Sequence, residues 1–191
     1  MFSQFRNKFP IDDSKWSECT SCFKRLEVPA KTILLEEGEV SKRLFIIEKG
    51  GIRVWFNNNG KDLTTQFFFE NQSVASIESF MKKLPSPVVI ETIEQSVIWW
   101  ISKNDLDKIL EEIKEIPELR DRFINMLFER TFDYMKHFVS FIKDSPTQRY
   151  LNLIEERPQI TQRVPQHYIA SYLGVSTVHL SRIKSKLLQK K

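Results

Sequence analysis

The spacing of hydrophobic and polar residues changes along the chain and divides it into distinct stretches. Between residues 29 and 101, short apolar or alternating runs are separated by turn residues, a pattern that predicts antiparallel strands forming a barrel or roll. Asn59-Gly60 favours a tight hairpin turn, because both residues tolerate a positive φ. The predicted strands are residues 32–35, 44–47, 52–56, 63–69, 88–93 and 97–101.

After residue 101 the apolar spacing becomes helical. Residues 104–113 predict a short helix, and Pro117 suits the first position of the next one, where the missing N–H is not needed. Residues 118–143 contain neither glycine nor proline and predict a long helix. The segment Ser145-Pro146-Thr147-Gln148 resembles a capping box at the start of a further helix, which places a hinge near residues 144 and 145.

Apolar residues on the long predicted helix cover more of its circumference than one neighbouring surface can bury. One stripe contains Leu119, Phe123, Met126, Leu127, Tyr134, Phe138 and Phe141, and a second contains Ile124, Phe128, Phe132, Met135, Val139 and Ile142. We therefore expect one side to pack on the strands and the other on the same helix of a second chain, giving a homodimer. A helix buried inside one large domain is the alternative.

Residues 164–187 have the apolar spacing of two short amphipathic helices joined by a tight turn. Gly174 lies where that turn needs a positive φ, and Ser176 lies where the second helix needs an N-cap. The residues expected to face the core are Ile169, Leu173, Val175, Leu180, Ile183 and Leu187. The outward face then carries Thr177, Val178, His179, Ser181, Arg182, Lys184 and Lys186. This polar, cationic face is typical of a helix-turn-helix that enters the major groove of DNA, and an ordinary helical hairpin is the alternative.

The charge distribution favours nucleic-acid binding by the C-terminal region. The 191-residue chain has a formal net charge of +4, but residues 145–191 alone carry eight basic and two acidic residues, Lys190 and Lys191 included. The first 144 residues carry the remaining 21 basic and 23 acidic residues. A basic end on a mildly acidic body is expected when only one domain contacts phosphate.

Composition and motifs argue against several other classes of protein. With 41% hydrophobic and 12% aromatic residues, the chain can bury a substantial core. Its apolar runs are too short to span a bilayer and no signal-peptide pattern opens it, so we expect a cytoplasmic protein without membrane contact. The first histidine is His137, and nucleophile and nucleotide-phosphate motifs are absent. We therefore expect no enzyme activity, catalytic residue, metal or cofactor.

Cys19 and Cys22 form the only Cys-x-x-Cys pair in the sequence. One chain cannot complete a four-ligand zinc or iron–sulfur site here, because no other cysteine and no preceding histidine is present. In a helix predicted after Asp13, the two thiols are interpreted as packing residues. A site shared by two chains and a thiol redox switch are the alternatives.

Taken in order, these parts resemble the Crp/Fnr family of bacterial transcription regulators over nearly the whole chain. The residues that carry the resemblance are Pro29-Ala30, Glu37-Gly38-Glu39, Leu44-Phe45-Ile46-Ile47-Glu48-Lys49-Gly50, Asn59-Gly60-Lys61, Gln148-Arg149-Tyr150 and the spacing from Ile169 through Gly174 to Arg182 and Ile183. The resemblance implies an α+β fold: an antiparallel β-roll of the jelly-roll type with flanking helices, a long dimerisation helix and a small winged-helix-like domain.

The resemblance also implies how the chain is divided. Residues 1–116 would form a cyclic-nucleotide-binding-like sensor, residues 117–144 the dimerisation helix and hinge, and residues 145–191 the DNA-binding domain. The stretch between residues 157 and 166 is short, so any wing hairpin must be small. The implied partners are a near-palindromic double-stranded DNA operator, a second copy of the chain and RNA polymerase.

Carried over by position, the family's recognition helix presents Thr177, Val178 and Arg182 to base edges, with His179 and Ser181 beside them. Gln166, Ser176 and Lys184 would contact phosphates, and Lys186 lies on the same face. Arg182 is the strongest candidate for direct readout, because its guanidinium matches the O6 and N7 acceptors of guanine. The family's cyclic-AMP receptors usually have other residues at the first two of these positions, so their operator is not expected here.

The implied effector pocket lacks the groups that hold a cyclic nucleotide. Where cyclic-nucleotide binders have Gly-Glu and Arg-Ser or Arg-Thr pairs, this chain has Ala75-Ser76, followed by Ile77, and Ser86-Pro87. Tyr134 and Met135 match the part of the dimer helix that contacts the purine. We therefore expect no cyclic AMP binding. A vestigial sensor and an unidentified small-molecule effector both remain open, as does a regulatory or protein-interaction module that does not bind DNA.

Overall fold

The computed structural model describes residues 13–189 and confirms a mixed α+β fold with antiparallel sheets. Its strands are β1 (Lys24–Val28), β2 (Ile33–Leu35), β3 (Arg43–Lys49), β4 (Ile52–Asn58), β5 (Lys61–Phe68), β6 (Ser73–Val74), β7 (Val89–Thr92) and β8 (Ser96–Ser102). Its helices are α1 (Asp13–Ser21), α2 (Ile77–Lys82), α3 (Lys103–Lys114), α4 (Pro117–Lys143), α5 (Pro146–Glu156), α6 (Pro158–Arg163), α7 (Gln166–Tyr172) and α8 (Thr177–Leu188).

Apolar side chains on the inner strands form the core of the roll. The first sheet has the order β1-β8-β3-β6, and β8 pairs antiparallel with both β1 and β3. In that register Ile47 lies opposite Ile98, and both are fully buried. The second sheet comprises β2, β4, β5 and β7, with β2 and β7 antiparallel. The six strands predicted from apolar runs are confirmed.

The sequence pattern missed β1, β6 and the short helix α2. Strand β1 has the sequence KRLEV, in which Lys24, Arg25 and Glu27 are exposed and only Val28 is buried. Because it pairs only with β8 in the sheet, it needs little apolar surface and gives a weak strand signal. Strand β6 has only two residues, too few for any periodicity to show.

Contacts divide the chain into two compact units. The first contains the residues up to Ile52 together with Phe68–Thr131, and the second contains Arg53–Phe67 together with the residues from Phe132 onward. Almost the whole β4–β5 hairpin therefore groups with the C-terminal helices. The functional boundaries at residues 116/117 and 144/145 stay predictions, because a division by contacts does not report function.

Helix α4 begins at Pro117 and runs to Lys143, as predicted. Leu119 is its one buried residue among those described. Its exposed apolar side chains are Ile124, Met126, Leu127, Phe128, Phe132, Tyr134, Met135, Phe138, Val139, Phe141 and Ile142. A single chain thus leaves most of the apolar surface of this helix in solvent.

A new helix starts after α4 where the sequence predicted one, with one difference in the hydrogen bonds of its cap. Ser145 caps α5, and its side chain accepts from the Gln148 backbone N–H at 3.2 Å. The reciprocal half of a capping box is not formed, because the Gln148 side chain donates to Asn152 at 2.8 Å instead. The new helix therefore starts on one side-chain cap and on Pro146 in its first turn.

The stretch between residues 157 and 166, where any wing hairpin had to be small, contains a helix and no strand. Residues Pro158–Arg163 form helix α6, and within residues 13–189 the last strand is β8. Pro158 is at the start of this helix, where its fixed φ is favourable, and Ile160 is fully buried.

Both cysteine side chains are free thiols and half-buried. Cys19 lies in α1 and donates to a Glu112 carboxylate oxygen at 4.0 Å, and Cys22 follows α1 and donates to the Cys19 carbonyl oxygen at 3.1 Å. Burial is the main cause that raises the pKa of the Cys22 thiol. These contacts fit the packing interpretation. Within residues 13–189, no helix is both long enough and apolar enough to cross a membrane.

Candidate nucleic-acid interface

The turn between α7 and α8 has the backbone conformation predicted for it. Gly174 has a φ of +65°, and its N–H donates to the Ser171 carbonyl oxygen at 3.0 Å. A Cβ on this residue would lie 2.6 Å from the ring of Phe141, so both conformation and space favour glycine here. The next residue, Val175, donates to the Ala170 carbonyl oxygen at 3.0 Å and closes the end of α7.

Helix α8 begins as predicted, with Ser176 as its N-cap. The Ser176 side chain accepts from the His179 N–H at 3.1 Å, which satisfies one of the free donors of the first turn. Of the residues predicted to face the core, Ile169, Leu173, Leu180 and Ile183 are buried, and Val175 and Leu187 are half-buried. The side of α8 that packs inward is therefore the predicted one.

The opposite side of α8 is open to solvent. Val178 is 59% exposed, and Arg182 is one turn further along the same face. The other predicted DNA-contacting residues on α8 are Thr177, His179, Ser181 and Lys186, all exposed, and Lys184, half-buried. The face combines one large apolar group with hydroxyls, an imidazole and cations, the mixture that reads base edges and phosphates together.

Two predicted phosphate contacts from different helices lie side by side. Lys184 on α8 donates through Nζ to the Oε1 of Gln166, the first residue of α7, at 3.0 Å. This hydrogen bond uses the side-chain oxygen of Gln166, so the side-chain NH₂ group of Gln166 keeps both N–H donors for another acceptor. The ammonium group of Lys184 also keeps donors, so one phosphate could accept from both residues.

Part of the basic excess counted after residue 144 serves the fold. Arg149 donates to the Leu173 carbonyl oxygen at 2.9 Å, and Arg157 donates to the Phe67 carbonyl oxygen at 2.7 Å. The exposed cations on α8 are Arg182 and Lys186. Lys190 and Lys191, which the sequence analysis also counted, lie outside the described residues.

Arg149 joins three parts of the second unit. Besides Leu173 in the turn, its guanidinium donates to the carbonyl oxygen of Phe141 at 2.9 Å, near the end of α4, and approaches that of Asp144 in the hinge at 3.4 Å. Its charge also lies 4.4 Å from the centre of the Phe141 ring. In the sequence, Arg149 is recognisable only as part of a motif, and Phe141 only as a member of one apolar stripe of the long helix. Sequence spacing does not show which carbonyl groups an arginine reaches.

In the first unit, the structure brings together two of the predicted effector residues. The hydroxyl oxygens of Ser76 and Ser86 are 2.9 Å apart and both residues are buried. The Ser86 hydroxyl is also 2.7 Å from the Val88 carbonyl oxygen. The backbone N–H of Ser86 donates to the Glu39 carbonyl oxygen, and the Ser86 carbonyl oxygen accepts from the Gly38 N–H, both at 2.8 Å. Every hydrogen-bonding group of Ser86 is thus engaged within the protein.

The other predicted effector residues provide no cation. Ala75 is half-buried, Ile77 and Pro87 are exposed, and Tyr134 and Met135 are exposed on the part of α4 that belongs to the second unit.

The nearby cation Lys82 is paired with a carboxylate rather than placed beside Ser86. It donates to Glu78 at 2.8 Å on the surface of α2, an i,i+4 pair in which both side chains are exposed. Across residues 13–189 no group of three or more His, Cys, Asp or Glu side chains is arranged to hold a metal ion.

Comparisons with known proteins agree with this fold. Residues 25–113 match the family model of the cyclic nucleotide-binding domain. CLP from Xanthomonas campestris, a c-di-GMP-responsive global regulator, is 18% identical with a TM-score of 0.73, over 94% of this chain and 93% of CLP. FixK2 from Bradyrhizobium japonicum is 12% identical with a TM-score of 0.74, over 88% of this chain and 85% of FixK2.

A third solved structure, a protein of Eubacterium rectale assigned to the Crp/Fnr family of transcriptional regulators, is 17% identical with a TM-score of 0.71. The match covers 97% of this chain and 89% of that protein. No curated protein sequence matches the chain. At these identities the similarity establishes a shared fold, which alone does not identify a ligand or a function.

We expect Gly174→Ala to destabilise the protein more than Gly60→Ala. Both substitutions place a Cβ on a residue with positive φ, at a cost of about 1–2 kcal/mol. Only at Gly174 does the new Cβ meet another group, the Phe141 ring, since nothing lies within 4 Å of a Cβ at Gly60. Urea unfolding should show an additional loss of about 1–3 kcal/mol for Gly174→Ala. Equal losses would show that Phe141 moves aside freely.

We expect millimolar cyclic AMP or cyclic GMP to leave the melting temperature unchanged. Ser86 has no free hydrogen-bonding group and no arginine accompanies it, so a cyclic phosphate would lose its hydration without compensation. A ligand present at 100 times its Kd would add about 2.7 kcal/mol, which differential scanning fluorimetry detects easily. A reproducible rise in melting temperature would contradict this expectation.

Proposed function

We propose that this protein is a sequence-specific DNA-binding transcription regulator of the Crp/Fnr type that acts as a homodimer. The observation that carries the proposal is the exposed face of α8. Its polar and cationic side chains project outward, while Leu180 and Ile183 on the opposite side are buried and Ser176 caps the first turn. A rigid helix with this division can enter a major groove without rearranging.

The chemistry of the face suggests a division of contacts. Arg182 donates to the O6 and N7 of a guanine, and Val178 contacts a thymine methyl group. Gln166 and Lys184, already joined by a hydrogen bond, bind one phosphate together. The remaining contacts come from Ser176 and Lys186 to phosphates and from Thr177, His179 and Ser181 at the edges of the helix.

The exposed apolar surface of α4 supports the homodimer. Phe138 is 66% exposed and Ile142 is 72% exposed in a single chain. Burying a side chain of this size is worth about 1.5–3 kcal/mol, so a row of them is a strong drive to associate. The same helix of a second chain supplies a matching apolar row, and the pair presents two recognition helices to a near-palindromic operator. Once bound near a promoter, the dimer would contact RNA polymerase.

Selection of bound sequences from a random DNA library tests the proposal directly. We expect a near-palindrome with half-sites about 34 Å apart along the helix, the distance between successive major grooves. Failure to enrich any sequence, together with no mobility shift at low salt, would overturn DNA binding. Those results would favour the alternative, a protein-interaction module with this fold.

We expect Phe138→Glu to prevent dimerisation. In a dimer joined through α4, the new carboxylate would be buried without a partner, which costs several kcal/mol. Light scattering should report twice the 22.7 kDa chain mass for the wild type and a single chain mass for the variant. Asn125→Glu adds the same charge to an exposed polar position of α4 and should remain dimeric. A wild type that stays monomeric at micromolar concentration, even on DNA, would contradict the model.

We expect Arg182→Ala and Lys184→Ala to weaken DNA binding in different ways. Loss of a guanine contact should cost about 1–3 kcal/mol on the selected site and flatten the preference at one position per half-site. Loss of a phosphate contact should weaken binding to selected and random DNA alike. It should also reduce the slope of log affinity against log salt concentration by about 1 per contact. Titrations at several salt concentrations separate the two effects. An equal loss on both DNAs for Arg182→Ala would make Arg182 a phosphate contact.

A further inference from the structure

The β4–β5 hairpin makes specific contacts with α7, the helix that precedes the recognition helix. The hydroxyl of Ser171 donates to the Asp62 carbonyl oxygen at 2.7 Å and accepts from the Thr64 N–H at 2.9 Å. One side chain of α7 therefore satisfies both a donor and an acceptor of the hairpin backbone. Because both hydrogen bonds share the Ser171 hydroxyl oxygen and each has a preferred direction, they restrict how α7 lies on the hairpin.

Arg157, between α5 and α6, makes a second attachment to the hairpin. It donates to the Phe67 carbonyl oxygen at 2.7 Å and lies 3.3 Å from the Gln66 side-chain oxygen. The same guanidinium is 3.4 Å from the hydroxyl oxygen of Tyr172 on α7. Arg157 thus links the hairpin, the α5–α6 corner and α7 by charge-assisted hydrogen bonds.

Tyr172 lies between the hairpin and the end of α4. It is buried, its ring centre is 5.2 Å from that of Phe67, and it stacks on His137 at 4.6 Å. The Tyr172 hydroxyl oxygen is 3.2 Å from His137 Nδ1. Burial, and then the charges of Arg157 and Arg149, lower the pKa of His137, so the stacked imidazole is neutral at pH 7.

A buried charge adds to this attachment. Arg53 on β4 is 2% exposed, pairs with Asp62 at 3.1 Å, and its guanidinium lies 3.8 Å from the centre of the Tyr168 ring on α7. Cation–π contacts gain strength when water is excluded. Every turn of α7 is therefore held on one side by the hairpin, while the exposed face of α8 remains free.

We propose that the β4–β5 hairpin is a positioning element for DNA recognition: it holds α7, and through the Gly174 turn it fixes the angle at which α8 meets DNA. We call the contacts of Asp62, Thr64 and Phe67 with Arg157, Ser171 and Tyr172 the hairpin clasp. A dimer reads a two-half-site operator only when both recognition helices have the right angle, whereas a loosely held helix still contacts phosphates. The clasp therefore controls specific binding more than non-specific binding. This inference rests on the proposed DNA-binding function.

The test uses Ser171→Ala, Arg157→Lys and the double variant in the full chain. Ser171→Ala removes both hydrogen bonds between its hydroxyl and the hairpin backbone. Arg157→Lys removes the guanidinium group that makes several hydrogen bonds at once but keeps the positive charge, so the electrostatic attraction to DNA is preserved. Thr161→Ala is the matched control, because it removes a hydroxyl that bonds only to the Pro158 carbonyl oxygen inside α6. Circular dichroism establishes that each variant is folded. If the double variant does not fold, DNA binding is measured on the two single variants instead.

We expect the double variant to lose at least tenfold in affinity for the selected operator and less than twofold for random DNA at the same salt concentration. A tenfold loss corresponds to the correctly oriented population falling to about one tenth. Thr161→Ala should bind both DNAs as the wild type does. Unchanged or tighter operator binding by the double variant would overturn the proposal, and so would equal losses on both DNAs.

Hydrogen exchange without DNA separates this proposal from the proposed function. If the clasp holds the helices, amides throughout α7 and α8 should exchange faster in the double variant, along with the Thr64 amide. Faster exchange at Thr64 alone would overturn the clasp even if the wild type binds DNA. A wild type that binds no DNA sequence would instead overturn the proposed function and leave the exchange result to decide on the clasp.

Discussion

The ends of α4 and α7 would leave backbone carbonyl groups without partners, and the Arg149 guanidinium satisfies one at each end. Carbonyl groups in the last turn of a helix have no partner within the helix. Arg149 reaches the carbonyl oxygen of Phe141 in the last turn of α4 and that of Leu173, just after α7. The bond to Phe141 is exposed, so water can replace it, but Leu173 is buried, and a buried carbonyl left without a donor costs about 1–3 kcal/mol. The orientation of α8 relative to the end of α4 depends on this side chain.

The roll combines the fold of a cyclic nucleotide-binding domain with uncharged residues at the predicted effector positions. Residues 25–113 match a cyclic nucleotide-binding domain, yet two residues at the predicted effector positions, Ser76 and Ser86, bond to each other. A hydroxyl pair is small and neutral, so it completes the local hydrogen bonding without creating the positive field that an anion requires.

Local chemistry made much of the C-terminal architecture predictable. Ser145 and Ser176 cap helices where the sequence placed them, and Gly174 has the positive φ that its turn requires. These features are readable because a cap or a turn involves residues only a few positions apart. Strands with continuous apolar runs were also predictable, because that pattern too is contained in a few consecutive residues. The DNA and effector contacts assigned by resemblance stay predictions.

The features that the sequence did not reveal are those decided by distant residues. Helix α6, which the sequence pattern did not reveal, contains the fully buried Ile160. The two attachments of Ser171 to the hairpin, like the role of Arg149, depend on which backbone groups are brought near by folding. A serine in an amphipathic helix gives no sign of such a partner, since the same residue is equally suited to solvent.

The separation of those partners along the chain has a consequence for how the protein is made. Thr64 and Ser171 are 107 residues apart, and Phe67 and Arg157 are 90 residues apart. At ribosomal rates of 5–20 residues per second, Thr64 is synthesised roughly 5–20 s before Ser171. During that interval the Thr64 amide lacks its partner, a situation in which unpaired strand groups attract other chains. Completion of the second unit is therefore a late event of synthesis, and a ribosome that stalls before α7 releases a chain with an unprotected hairpin.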